Sequence, residues 1–239
     1  MRVVISIGGS ILAPDLDAER VAAHAETIES LAAADCEIGI VVGGGGVARE
    51  YIGAARELGA NEVQLDQLGI DVTRINGRLL IAALDTPVNS IPATDFETAG
   101  DALRRGDISV MGGLTPGQTT DAVAAAFAEY VDADLLVYAT STDGVYDADP
   151  EADPDAIKYA TMSPDELVDL VVPMSRDAGA SAPVDILAAK LIERSGMRTI
   201  VMDGSEPEAI ESAVLRGEHC GTDIIPHGST EPAAWIESE

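Results

Sequence analysis

Short β-branched runs alternate along the chain with longer stretches of helical period. Residues 3–7, 38–42, 86–90, 108–111, 135–139 and 198–202 read as buried strands. Residues 18–33, 47–58, 64–83, 119–130, 183–195 and 206–215 read as helices. Strand and helix taking turns predicts an α/β fold: a mostly parallel central sheet with helices on both faces. Residues 143–155 read as a polar loop, punctuated by Asp149-Pro150 and Asp153-Pro154. The tail from 226 to 239 shows little pattern and is expected to be loosely held.

In parallel sheets, ligands gather beyond the carboxyl ends of the strands. Three of the expected strands end there in glycine-rich turns: Gly8-Gly9-Ser10, Gly43-Gly44-Gly45-Gly46, and Gly112-Gly113 leading through Leu114 and Thr115 to Thr120 and Asp121. Glycine lets backbone N–H groups approach a ligand with no Cβ in the way, and a following helix start adds partial positive charge. Three such turns on one edge point to a phosphate-rich ligand or pair of ligands. Gly43-x-Gly45-x-x-Ala48 with Asp66 further on also fits a relaxed dinucleotide fingerprint, but it follows the second strand rather than the first. A P-loop and the protein-kinase motifs are absent.

Composition narrows the setting. The 239 residues carry a formal net charge of −28, with 42 Asp and Glu against 14 Lys and Arg, which argues against a nucleic-acid partner. The acids are spread along the whole chain, and lysine occurs only at Lys158 and Lys190, as expected of a protein adapted to a salt-rich cytoplasm. No apolar run approaches the ~18 residues of a membrane span, so no membrane partner is expected. The N-terminus runs directly into a strand pattern with no leader-like segment. Cys36 and Cys220 are too few for a disulfide framework and suit a reducing compartment. The three histidines, His24, His219 and His227, fall outside the glycine turns and are read as surface groups. The alternating acids from Asp147 to Asp155 lack the glycine and glutamate spacing of a calcium loop.

Gly8-Gly9-Ser10, Val41-Val42-Gly43-Gly44-Gly45, the run from Met111 to Ala124, and Thr142-Asp143-Gly144-Val145-Tyr146 with Asp149-Pro150 together resemble the amino acid kinase superfamily, and within it the archaeal type of UMP kinase. The resemblance covers about residues 1–225 as a single domain, with the acceptor-binding part mainly N-terminal and the ATP-binding part mainly C-terminal. It implies transfer of the γ-phosphoryl group of ATP, with Mg²⁺, to UMP. It further implies that Gly9, Ser10, Gly45, Arg49, Thr140, Tyr146 and Asp149 contact ATP. Gly44, Asp66, Leu114, Thr115, Pro116, Gly117, Gln118, Thr119 and Thr120 would contact UMP. Asp143 would orient basic residues at the transferring group, and a homo-oligomer, a hexamer, is expected.

One departure stands out: many kinases of the superfamily carry a lysine two residues before the first Gly-Gly, and here that position is Ser6. Arg49 and Lys190 are the replacement candidates. Other readings of the individual residues stay open: a solvated surface arginine for Arg49, helix caps for Asp66, Thr119 and Thr120, a first-turn acid for Asp121, and a surface lysine for Lys190. The competing functions are a kinase for isopentenyl phosphate, carbamate or an acylated amino acid, a non-catalytic nucleotide-binding module, and an NAD-dependent oxidoreductase. The absence of a histidine soon after Gly45 argues against the first of these acceptors.

The charge makes a prediction of its own. Self-repulsion fades as the Debye length shrinks from ~10 Å near 0.1 M salt to ~3 Å near 1 M. The melting temperature should therefore rise as KCl goes from tens of millimolar to molar; a flat or falling series overturns the salt-adapted reading.

Overall fold

A computed structural model describes residues 1–150, 152–174, 184–229 and 235. The main sheet follows from the apolar runs: β1 (Arg2–Ile7), β2 (Glu37–Val42), β3 (Ser109–Met111), β4 (Leu135–Thr140), β7 (Thr161–Met162), β8 (Thr199–Asp203) and β9 (Thr222–Ile224) lie in the order β3-β2-β1-β4-β8-β9-β7. Neighbours from β3 through β8 are parallel; β9 is antiparallel to β8 and parallel to β7. Two further strands, β5 (Val145–Tyr146) and β6 (Lys158–Tyr159), pair as a separate hairpin.

The alternation of side chains along each strand sorts the core into two clusters. Val4, Val41, Met111, Leu136, Tyr138 and Val201 face α5 (Phe96–Arg104), α6 (Thr120–Tyr130), α7 (Pro164–Met174) and α8 (Ile186–Ser195). Val3, Ile5, Ile7, Ile40, Val137 and Ile200 face α1 (Gly9–Leu12), α2 (Ala18–Ala33), α9 (Pro207–Arg216) and the C-terminal part of α4 (Glu62–Ala83). The remaining helix, α3 (Gly45–Glu57), packs on α4 with Ala48 buried, and α4 begins in a capping box built by Asn61 and Gln64. With only 3% aromatics, large side chains are placed sparingly: Phe127 of α6 sits against Gly39, where an added Cβ would come within 2.7 Å of its ring.

The expected strands and helices are present with one exception. Residues 86–90 form no strand, only an isolated bridge between Val88 and Ile108. Pro87 has no N–H to offer a ladder, and Asn89 pairs with Val110 through its side chain, its Nδ2 donating to the Val110 carbonyl at 2.8 Å and its Oδ1 accepting from the Val110 N–H at 2.6 Å. Several features exceed the sequence reading: helices α1, α5 and α7, strands β7 and β9, and the hairpin that starts within the expected 143–155 loop. The tail also carries a contact. Trp235 lies over the Arg198 guanidinium at 4.6 Å, and its Nε1 donates to the Val214 carbonyl at 2.8 Å.

His24 corrects the surface reading of the histidines. It is 1% exposed, on the apolar face of α2, and its Nε2 has no partner among the described residues. Burial pushes its pKa down from 6.5 to about 4, against a hydrogen bond with the Ile11 backbone that works the other way. The folded protein therefore binds fewer protons than the unfolded chain between pH 4 and 6.5. The neutral ring's stability is complete above 6.5 and lost as pH falls towards 4. Relative to His24→Leu, the wild type should lose about 3 kcal/mol between pH 7.5 and pH 4, read by urea unfolding at fixed KCl. A pH-independent difference would show that His24 is not held neutral.

Candidate active site

The carboxyl ends of β1, β2 and β4 meet the starts of α1, α3 and α6 around a cavity of about 220 Å³. Its rim forms because two glycine turns touch backbone to backbone. A Cβ on Gly9 would lie 2.5 Å from the Gly43 oxygen and the Gly45 nitrogen, and one on Gly45 would lie 2.5 Å from Gly9 and Ser10. Gly45 also sits at φ +63°. The first N–H groups of α1, α3 and α6 have no partners within their own helices, so this rim suits phosphate oxygens. Gly8, Ser10, Gly44, Arg49, Thr120 and Thr140 complete the lining with Ser6, Asp121 and Tyr138.

Helix α4 fastens the parts together. Asn76, buried, donates from Nδ2 to the Gly43 carbonyl at 2.9 Å and the Gly44 carbonyl at 3.2 Å. Thr73 accepts from the Gly113 N–H at 2.7 Å, and a Cβ on Gly112 would fall 2.4 Å from the same hydroxyl. Asp66 accepts from the Gly117 N–H at 2.8 Å. Asp66 thus lies inside α4, and Asn61 is its N-cap, so the helix-cap reading of Asp66 falls away. Gly117, at φ +82°, turns the loop that runs from Leu114 through Thr115, Pro116 and Gln118. Thr119 does cap α6, accepting from the Ala122 N–H at 3.1 Å, and its hydroxyl also donates to Asp185 at the start of α8.

The acid beneath this cavity is Asp121. Strand alternation points Ser6 towards α6, where its hydroxyl donates to Asp121 Oδ1 at 3.4 Å. The Tyr138 hydroxyl donates to the Asp121 carbonyl at 2.9 Å. Burial, then the nearby negative charge of Asp185, push the Asp121 carboxyl up to about 6. Nothing in the sequence pattern separated Asp121 from an ordinary first-turn helix acid. Arg49 is exposed and is the one basic side chain lining the cavity among the described residues.

Other expected site residues lie elsewhere. Lys190 is exposed on α8, pairs with Glu193 at 2.8 Å and does not line the cavity. Asp143 also lies outside it. Its Oδ2 accepts from Lys158 Nζ at 2.8 Å and its Oδ1 from the Tyr146 hydroxyl at 2.6 Å, on the turn that leads into the β5–β6 hairpin. The Lys158 ammonium is the leading reason the Asp143 carboxyl titrates below the usual range. Asp149 lies beyond Tyr146, where its backbone carbonyl accepts from the N–H groups of Ala152 and Asp153.

The raised Asp121 pKa carries a signed consequence. The folded protein binds more protons than the unfolded chain between pH 3.8 and 6, so the burden is absent below 3.8 and complete above 6. Asp121→Asn should gain about 2 kcal/mol in unfolding free energy at pH 7.5 beyond its difference at pH 4, less than full burial implies because the cavity admits solvent. A variant less stable than wild type by the same margin at both pH values would overturn this account.

A profile of the amino acid kinase family matches residues 1–203. The chain is 71% identical over 238 residues to a uridylate kinase of Halorubrum lacusprofundi, spanning 100% of this chain and 99% of the relative. It is 71% identical over 240 residues to a uridylate kinase of Haloquadratum walsbyi, spanning 100% of both. The crystal structure of uridylate kinase from Archaeoglobus fulgidus superimposes with a TM-score of 0.83 at 45% identity, over 94% of this chain and 100% of that one. UMP kinase from Bacillus anthracis follows at a TM-score of 0.77 and 26% identity, over 96% of this chain and 97% of that one. With its glycine turns, the 114–120 loop and the hairpin all in place on this fold, the chain belongs to the amino acid kinase family and, within it, to the uridylate kinases.

Proposed function

We propose that the protein transfers the γ-phosphoryl group of ATP to UMP, giving ADP and UDP. The observation that carries this reading is the bond from the Gly117 N–H to Asp66, which joins the acceptor loop to the ribose-binding acid on the helix that also supports the phosphate turns. UMP lies along α4 with its ribose at Asp66, its base and phosphate within the loop from Leu114 to Thr120, and Gly44 between the two ligands. ATP enters from the other side. Its phosphates sit at Gly9, Ser10 and Gly45, and its adenosine end lies towards Thr140, Tyr146 and Asp149.

The acceptor phosphate is already ionised, so transfer needs in-line placement and positive charge rather than a general base. Helix N-termini and Arg49 supply part of that charge. Lys190, the second candidate, is paired with Glu193 outside the cavity. Mg²⁺ is the natural further cation, neutralising charge that develops on the phosphate oxygens. No group of three or more acidic, histidine or cysteine side chains among the described residues forms a metal cage. Mg²⁺ commonly binds through one or two carboxylates plus substrate phosphates, and Asp121, desolvated beneath the cavity, fits that part.

No helix among the described residues is long and apolar enough to cross a membrane, and we place the enzyme in the cytoplasm. Tyr51 and Leu58 on or beside α3, with Val63, Ile75 and Leu79 on α4, are exposed apolar groups that support assembly with further copies, as a hexamer.

The test is a panel of nucleoside monophosphates and small phosphates assayed for ADP production in molar KCl. UMP should lead, and equal turnover of AMP would defeat the assignment. A site that hydrogen-bonds ribose hydroxyls should prefer UMP over dUMP by ~10-fold or more in kcat/KM. Asp66→Asn should erase most of that preference; a variant that keeps it shows that the ribose is read elsewhere.

A further inference from the structure

Lys158 and Lys190 are the only lysines in the sequence, and Lys158 is built into the loop on the ATP side. Its ammonium bridges two separate segments, donating to Asp143 Oδ2 at 2.8 Å and to the Cys220 carbonyl at 2.9 Å. Asp143 in turn accepts from the Tyr146 hydroxyl, and Tyr146 pairs with Lys158 across the hairpin. The lysine stem lies over Gly144, where a Cβ would come within 3.0 Å of Lys158 Cδ and 2.7 Å of the Thr222 hydroxyl. Thr222 anchors the same turn, accepting from the Val145 N–H at 2.8 Å and donating to the Tyr159 carbonyl at 2.5 Å. On its far side the bridge reaches Cys220, which with Asp143, Met202 and Ser205 borders a cavity of about 670 Å³. Every part of the 143–146 turn is thus pinned either by Lys158 or by Thr222.

We infer that Lys158 is a positioning residue for ATP, fixing the Asp143–Tyr146 turn in the shape that receives the nucleotide. The inference rests on the reading above that places ATP against Tyr146. A lysine suits the task because its compact ammonium can meet two acceptors from different segments at once, whereas the planar fork of arginine spreads its donors over a wider arc. This explains a lysine kept in a chain whose other basic residues, Lys190 apart, are arginines. The Lys158 and Asp143 side chains are 29% and 52% exposed, so molar salt screens most of their charge attraction and leaves the hydrogen-bond geometry as the working part.

The test compares Lys158→Met and Lys158→Arg with wild type in molar KCl, with ATP and UMP varied in turn. It adds calorimetric titration of a non-hydrolysable ATP analogue. The expected result is a KM for ATP raised by ~10-fold or more, a parallel rise in the analogue's Kd, a KM for UMP within about twofold, and kcat at saturation within about threefold. Lys158→Arg should group with Lys158→Met rather than with wild type; if the Met variant fails to fold, the Arg variant decides. An ATP KM within about threefold of wild type in both variants overturns the inference, as does a UMP KM that rises in step with that of ATP. Wild-type protein that makes no ADP from UMP would instead refute the parent reading, while the analogue's Kd would still judge Lys158.

Discussion

The active-site region depends on one close approach: the backbones of Gly9 and Gly45 meet where no side chain can stand. Strands β1 and β2 are neighbours in register, with Ile7 opposite Val42, so the turns that follow them must cross at the sheet edge. Bringing two peptide segments into van der Waals contact there lets α1 and α3 begin side by side and aim their first N–H groups at one small volume. Asn76 satisfies the Gly43 and Gly44 carbonyls from behind, leaving the opposite face of the turn for a ligand.

The charges around the cavity do not balance among the protein's own groups. An exposed Arg49 and the helix starts line the cavity, while Asp121 below them is largely desolvated and close to Asp185. Lining a site for anions with a desolvated acid weakens the fold at neutral pH, which is the mark of a group retained for something other than stability. Ser6, standing where many kinases of this superfamily carry a lysine, offers Asp121 a hydroxyl and no compensating charge.

The parallel sheet and its principal helices were legible because their runs were long. Helix α2 begins and ends where its period does, from Ala18 to Ala33. The glycine turns were legible as the corners where β1 and β2 hand over to helices, and Asp66 lies beside the Leu114–Thr120 loop, hydrogen-bonded to the Gly117 N–H. What stayed hidden was short or non-local. A two-residue strand such as β5 has no period to read, and Asn89 looks like strand until its side chain takes over the pairing. The weight of Asp121 comes from burial and from Asp185 on a distant helix start, neither of which spacing encodes. His24 reads as a surface group because it falls outside the glycine turns, yet the packing of α1 over α2 closes it off.

Helix α4 carries Asp66, Thr73 and Asn76, the side chains that fasten the 114–120 loop, the Gly112–Gly113 turn and the turn after β2. They sit seven and three residues apart, whole turns of a helix to within a fraction, so all three project from one face. Each residue added to or removed from an α-helix rotates everything beyond it by about 100°. One insertion between Asp66 and Asn76 would therefore swing part of this set away from the rest, so the three could no longer all engage. The stretch tolerates replacement on its solvent side, but a change in its length would break the set of contacts.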